Sequence, residues 1–137
     1  MTTREGNVFA CLVETVAGPG EPLPPLAHTD AVRFLDSYLA AAPLLNRAGL
    51  RALLHALELG PRARRRGRAR FRQLSPGERT HYLKRLERGR AGQAFRALEA
   101  IAKLAYYGDE AVMKRLGYDA NAVVRRGREL RARELRW

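Results

Sequence analysis

A single cysteine, Cys11, excludes any disulfide within the chain, and with three scattered histidines (His28, His55, His81) it offers no zinc-ligand spacing. No apolar run approaches the ~20 residues of a membrane span. The opening Met1-Thr2-Thr3-Arg4-Glu5 lacks the charged-then-apolar layout of a secretory signal, so the expected compartment is the cytoplasm. Also missing are G-x-G-x-x-G, a P-loop, H-E-x-x-H and a nucleophile elbow, the common signatures of cofactor binding, nucleotide binding and hydrolysis. The expectation is a chain that does not catalyse on its own and carries no cofactor or metal. Lysine is scarce: Lys84, Lys103 and Lys114 stand against 23 arginines. That preference has two readings, a polyanionic ligand or a GC-rich genome.

What remains is 46% hydrophobic and 29% charged, the balance of one folded domain, and 137 residues can bury a single core without staples. The formal charge is +12 and unevenly placed. Residues 1–60 hold 4 basic and 6 acidic groups, while residues 61–137 hold 22 and 8. Such asymmetry points to a nucleic acid, an anionic surface or an acidic protein partner.

The 3.6-residue period runs through the chain and β-branched residues are few, which predicts an all-α fold: a single compact bundle of about five to seven helices. Thr2 and Glu5 form a capping box for a first helix, Arg4 to Val16, with Val8, Phe9, Leu12, Val13 and Val16 on one face. Residues 18–28 form a Pro-rich connection, four prolines and two glycines falling within 18–25, expected to run extended and stiff as a linker or clamp. A second helix starts at Thr29 or Asp30 and groups Val32, Leu35, Tyr38, Leu39 and Ala42. A third spans Leu44 to Leu59 with a Leu50, Leu53, Leu54, Leu57 stripe, and Gly60-Pro61 should stop it. His55 lies opposite that stripe and reads as solvated. Residues 61–73 read as an Arg-rich exposed loop, with seven arginines between Arg62 and Arg72.

Ser75-Pro76-Gly77-Glu78 is the strongest helix start in the chain, and its helix carries Tyr82, Leu83 and Leu86 on one face. Arg79 shares that face, so it must snorkel or find an acceptor. The helix from Ala91 to Tyr107 is apolar over more than half its wheel, as befits the centre of the bundle or a helix that also meets a partner. Asp109 caps a short helix closed by Gly117, and Asp119 starts the last one, a basic helix over residues 120–137. There Val123, Leu130 and Trp137 recur every seventh residue, too thin a stripe to hold the helix alone in water, so it is expected to dock. No helix-turn-helix or basic zipper is convincing, and Phe71 alone beside the arginine run makes no stacking platform.

The segment Ala94-Phe95-Arg96-Ala97-Leu98 through Ala105-Tyr106-Tyr107-Gly108-Asp109, then Val112 and Leu116-Gly117-Tyr118-Asp119, resembles the gluconate 2-dehydrogenase subunit 3 family. Val32-Arg33-Phe34-Leu35-Asp36 looks like that family's V-x-F-L-D helix, and Phe71 to Leu74 with Ser75 to Glu78 looks like its F-x-x-L-x-P-x-E-R step. The twin-arginine export signal common in the family has no counterpart at Arg4, and Met113 stands where an aromatic is usual. The resemblance implies a non-catalytic small subunit that supports folding, flavin loading, stability or secretion of a glucose-methanol-choline (GMC) type dehydrogenase. FAD and the substrate base would belong to that large subunit. Candidate partner-facing residues are Tyr106, Tyr107, Gly117, Tyr118, Arg125, Leu130 and Trp137, the last three giving the aromatic-plus-arginine profile of an interface. Two other classes stand beside this one: a nucleic-acid or polyanion binder using the arginine loop and last helix, and a free-standing helical scaffold.

Overall fold

The computed structural model describes residues 1–64 and 69–134, which form seven α-helices and no strand. They are α1 (Thr3–Ala17), α2 (Ala31–Ala41), α3 (Leu44–Arg64), α4 (Pro76–Glu87), α5 (Gly92–Tyr107), α6 (Glu110–Arg115) and α7 (Ala120–Glu134). Two single 3-10 turns, Leu26–His28 and Phe71–Gln73, sit between them.

The core is built on α1 against α5, with α2, α3 and α4 closing around that pair. From α1 come Val8, Phe9, Leu12 and Val13, and from α5 come Phe95, Leu98, Ala102, Ala105 and Tyr106, all buried. Each fully buried large apolar side chain contributes about 1.5–3 kcal/mol relative to exposure, so this pair carries a large share of the hydrophobic stabilisation. The central position expected for the apolar α5 holds. Its wheel is not fully covered, however, because Leu104 remains 59% exposed.

Both capping boxes form as the sequence spells them, Thr2 with Glu5 and Ser75 with Glu78. Gly18 ends α1 in the left-handed conformation (φ 56°), where a Cβ would be strained.

Several local readings require correction. Gly60-Pro61 does not stop α3, which continues to Arg64. The Tyr82 hydroxyl from α4 sits against Gly60, leaving no room for a Cβ there, and Pro61 is itself buried. Packing on this side of the helix thus offsets the hydrogen bond that the proline forfeits. The Arg-rich segment is not an exposed loop throughout: residues 62–64 belong to α3, Phe71 is fully buried in the second 3-10 turn, and residues 65–68 lie outside the described residues. On α2 the buried stripe is Ala31, Leu35 and Leu39, while Tyr38 is 42% exposed and stacks on Phe34. The Pro-rich connection is folded rather than extended. A turn closes from Leu23 N–H to the Gly20 carbonyl at 2.8 Å, with a cis Glu21–Pro22 bond inside it.

Candidate interaction surface

The end of α5 holds the Pro-rich connection in place. Tyr106 is fully buried and donates its hydroxyl to the Pro24 carbonyl at 2.6 Å; Tyr107 donates to the Ala17 carbonyl at 3.0 Å. The two rings meet edge to face, 5.2 Å apart. Burial first, then the neighbouring Tyr107 and Asp109, pushes the Tyr106 hydroxyl above the usual phenol range, so it stays a donor. From α6, Arg115 adds a third bond, Nε to the Pro22 carbonyl at 3.1 Å. Tyr106 and Arg115 therefore satisfy carbonyls of a proline-rich segment that has few N–H groups to pair internally, while Tyr107 holds the last carbonyl of α1 beside it. Tyr106 has no exposed surface, so its role is internal.

Asp109, legible as the cap of α6, does more. Its Oδ1 accepts from Ala111 N–H at 2.9 Å, and its Oδ2 accepts from the backbone N–H of Asp30 at 2.8 Å. The Asp30 side chain, expected as a cap, makes no capping bond. One carboxylate thus satisfies donors at two helix starts that are 79 residues apart. Beside it, Phe34, Leu104 and Gly108 floor an open groove of about 390 Å³, with Asp30, Asp109 and Glu110 at its rim.

Gly117 adopts the left-handed conformation expected of a helix stop (φ 74°), and Tyr118, 51% exposed, sits at the corner into α7. Asp119 caps α7 through its Oδ1, which accepts from Asn121 and Ala122 N–H. α7 packs against no other helix to an extent comparable with the rest of the bundle. Val123, Val124 and Leu130 are half exposed, and Arg125, Arg126, Arg128, Arg131 and Arg133 all lie on the surface. Of the expected partner-facing residues, Tyr107 stands beside Tyr106 at the end of α5, Gly117 and Tyr118 form the corner, and Arg125 and Leu130 stand together on α7. Trp137 lies outside the described residues.

Two buried carboxylates, Glu5 and Glu58, escaped the sequence, while Arg79 finds the acceptors it was expected to need. Glu5, buried in the core face of α1, accepts from Arg51 Nε at 2.7 Å, from Thr2, and lies 3.3 Å from His55 Nε2. His55 is therefore not simply solvated. Burial opposes ionisation of Glu5, but the Arg51 and Thr2 hydrogen bonds outweigh it and hold the carboxyl down at about 2. Glu58, fully buried, accepts from Arg72 through Nε at 3.0 Å and through its backbone N–H at 3.4 Å. Arg79 does not snorkel: it donates to the carbonyls of Leu74 and Arg72, each at 3.0 Å, and approaches Glu14 at 3.7 Å. The Glu58–Arg72 pair and the Arg79 bonds pin the second 3-10 turn against α3 and α4. The i, i+4 spacing of Arg51 and His55 was the available signal, but nothing local says that their acceptor comes from α1.

Burial pushes the Cys11 thiol up to about 11, with nearby Arg79 opposing and Glu14 adding to the rise, so it stays a protonated core residue. Among the described residues no three His, Cys, Asp or Glu side chains are grouped to hold a metal, and no helix is long and apolar enough to cross a membrane. Set against known proteins, the chain matches no family model, no curated protein and no solved structure.

Proposed function

We propose that this chain is a non-catalytic small subunit that binds a larger protein through α7 and the Gly117–Tyr118 corner. The observation that carries the reading is α7 itself: a 15-residue helix with half-exposed Val123, Val124 and Leu130, ringed by arginines and uncovered by its own bundle. An isolated helix of this length is marginal in water, and an amphipathic helix of this kind gains stability by laying its apolar face in a partner's groove. Arginines flanking an apolar stripe suit an acidic rim around that groove. The sequence resemblance supplies the partner class, a GMC-type FAD-dependent dehydrogenase whose large subunit would hold the flavin and the substrate base. In this reading the α1/α5 core is a platform and the strapped Pro-rich connection keeps it rigid.

The test is co-expression with a flavoprotein of that class encoded beside this chain, followed by affinity capture and flavin quantification across salt concentrations. Capture should survive moderate salt and fall at least ten-fold when residues 120–137 are deleted. The arginine ring also supports the polyanion reading, which salt separates: phosphate-driven affinity falls linearly in log affinity against log salt. Failure to capture any such flavoprotein, with tight salt-sensitive RNA or DNA binding instead, would overturn the subunit reading.

A further inference from the structure

We propose that α7 of one copy docks into the acidic-rimmed groove between α2 and α5 of a second copy, and reciprocally, making the free protein a helix-exchanged homodimer. The inference shares α7 with the reading above but does not depend on a flavoprotein partner. Both surfaces belong to the same molecule, so their complementarity can be read directly.

The groove has an apolar floor, Phe34 and the 59% exposed Leu104 with Gly108 between helices, extended along α2 by Tyr38 stacked on Phe34. Its rim carries Asp30, Asp109 and Glu110. The starts of α2 and α6 meet there, and two helix N-termini bring roughly +1 charge in total, against three carboxylates. Lys114 neutralises part of Glu110 in a fully exposed pair at 2.8 Å, the kind that contributes little and is readily exchanged. The rim remains net negative on a chain whose formal charge is +12.

The helix matches this groove in pattern. Val123, Gly127 and Leu130 fall at i, i+4 and i+7, on one face of α7. At 100° per residue Arg126 and Arg133 stand on one shoulder of that stripe and Arg131 on the other. Gly127 is the odd residue: glycine inside a helix costs about 1 kcal/mol relative to alanine. A Cβ there would meet nothing within 4 Å in its own chain. A knob such as Leu104 from another helix is the kind of neighbour for which a missing Cβ makes room. Each α7 is roughly 22 Å long. A single such contact is small against the ~1,000 Å² of a stable interface, and a two-fold exchange doubles it.

The test uses the full chain, with molar mass followed by sedimentation over a wide concentration range. The expected result is a mass that rises toward the dimer with concentration. Leu104→Glu, which breaks the groove, and Leu130→Glu, which breaks the helix, should each weaken self-association at least ten-fold. Both positions are half exposed, and an unchanged melting temperature verifies that the bundle is intact. An equimolar mixture of the two variants retains one intact helix and one intact groove, so it should associate more strongly than either variant alone. A wild-type mass that stays monomeric overturns the proposal, as does a mass that changes only on adding nucleic acid, a dimer indifferent to Leu104→Glu, or a mixture no better than its components. Folding of α7 back onto its own groove would give the monomeric result. Flavoprotein capture by Leu104→Glu separates the two proposals: capture with no self-association in the wild type sinks the dimer alone, and self-association with no capture sinks the subunit reading alone.

Discussion

The α1/α5 pair and α7 are helices of nearly equal length, 15 and 16 residues in the pair and 15 in α7, yet they stand at opposite ends of the range of burial. Along α1 the apolar residues Val8, Phe9, Leu12 and Val13 are at most 2% exposed, whereas Val123, Val124 and Leu130 of α7 are all about half exposed. α1 and α7 both carry a side-chain cap at the N-terminus, whereas α5 starts after Ala91 without one. The difference lies in what covers the side chains: the bundle encloses the apolar faces of α1 and α5 and leaves those of α7 half exposed. Helical propensity and capping decide where a helix forms; the width of its apolar stripe decides whether its own domain can keep it.

The strongest way to break this contrast is to truncate matched residues on either side. Phe9→Ala should cost about 3–5 kcal/mol in urea denaturation, because it leaves a cavity in close-packed surroundings. Leu130→Ala should change monomer stability by no more than about 0.5 kcal/mol. Equal losses at both positions would mean that α7 belongs to the bundle's core.

Next in size is the buried ion pair that holds the second 3-10 turn. Glu58→Ala should cost about 2–4 kcal/mol, since it strands the Arg72 guanidinium and backbone N–H in a mostly buried site. Glu58→Gln should recover part of that loss by accepting the same bonds without charge. At Glu5 the same logic has a pH signature. Its folded pKa lies below the unfolded value, so the stabilisation is fully present above about pH 4.5 and fades as pH falls toward about 2. Glu5→Gln should flatten that acid limb, seen as a smaller drop in melting temperature between pH 5 and pH 2.5.

The contrast between regions also marks how far the sequence could be read. Helix identity, the two capping boxes, the Gly117 stop, the Asp119 cap and the α1 face were legible because each depends on residues within one or two turns. The end of α3 was misjudged because the deciding contact, Tyr82 against Gly60, comes from 22 positions further along the chain. The Pro-rich connection was misread for a related reason: its carbonyls are claimed by Tyr106 and Arg115, and no local rule announces so distant a donor. Within the candidate surface, the weak hold of the bundle on α7 was legible from its thin stripe, while the acidic groove was not. Its seven lining residues come from two segments that only the packing of α2 on α5 brings together.

A smaller effect sharpens the role of those long-range bonds. Tyr106→Phe keeps the buried ring and removes only the hydroxyl, leaving the Pro24 carbonyl without that donor. The expected loss is about 1–2 kcal/mol. Tyr107→Phe, at a 39% exposed position where water can substitute for the hydroxyl, should cost less than about 1 kcal/mol. Hydrogen exchange in residues 20–28 should rise in Tyr106→Phe if the hydroxyl anchors the connection, and should stay at the wild-type rate if the ring alone does so.

The smallest effect has the opposite sign. Glu99 on α5 is 9% exposed, and its Oε1 has no hydrogen-bond partner. It faces a pocket of about 180 Å³ shared with Glu87 and Lys84 of α4, Lys103 of α5, and Thr15 and Val16 of α1. Burial first, then the neighbouring Glu87 charge, raises its pKa, and Lys103 only partly compensates. A carboxyl whose folded pKa exceeds its unfolded value favours the folded state while protonated, and that advantage is lost as pH rises from the unfolded pKa through the folded one. The wild-type chain therefore gives up stability on going from pH 4 to pH 7 at this site, and Glu99→Gln, neutral throughout, does not. The variant should match the wild type at pH 4 and exceed it at pH 7 by less than about 1 kcal/mol in the urea midpoint. A variant less stable than the wild type at pH 7 would show instead that the Glu99 carboxylate is ionised and held by Lys103, joining α5's polar face to the network that stabilises the core.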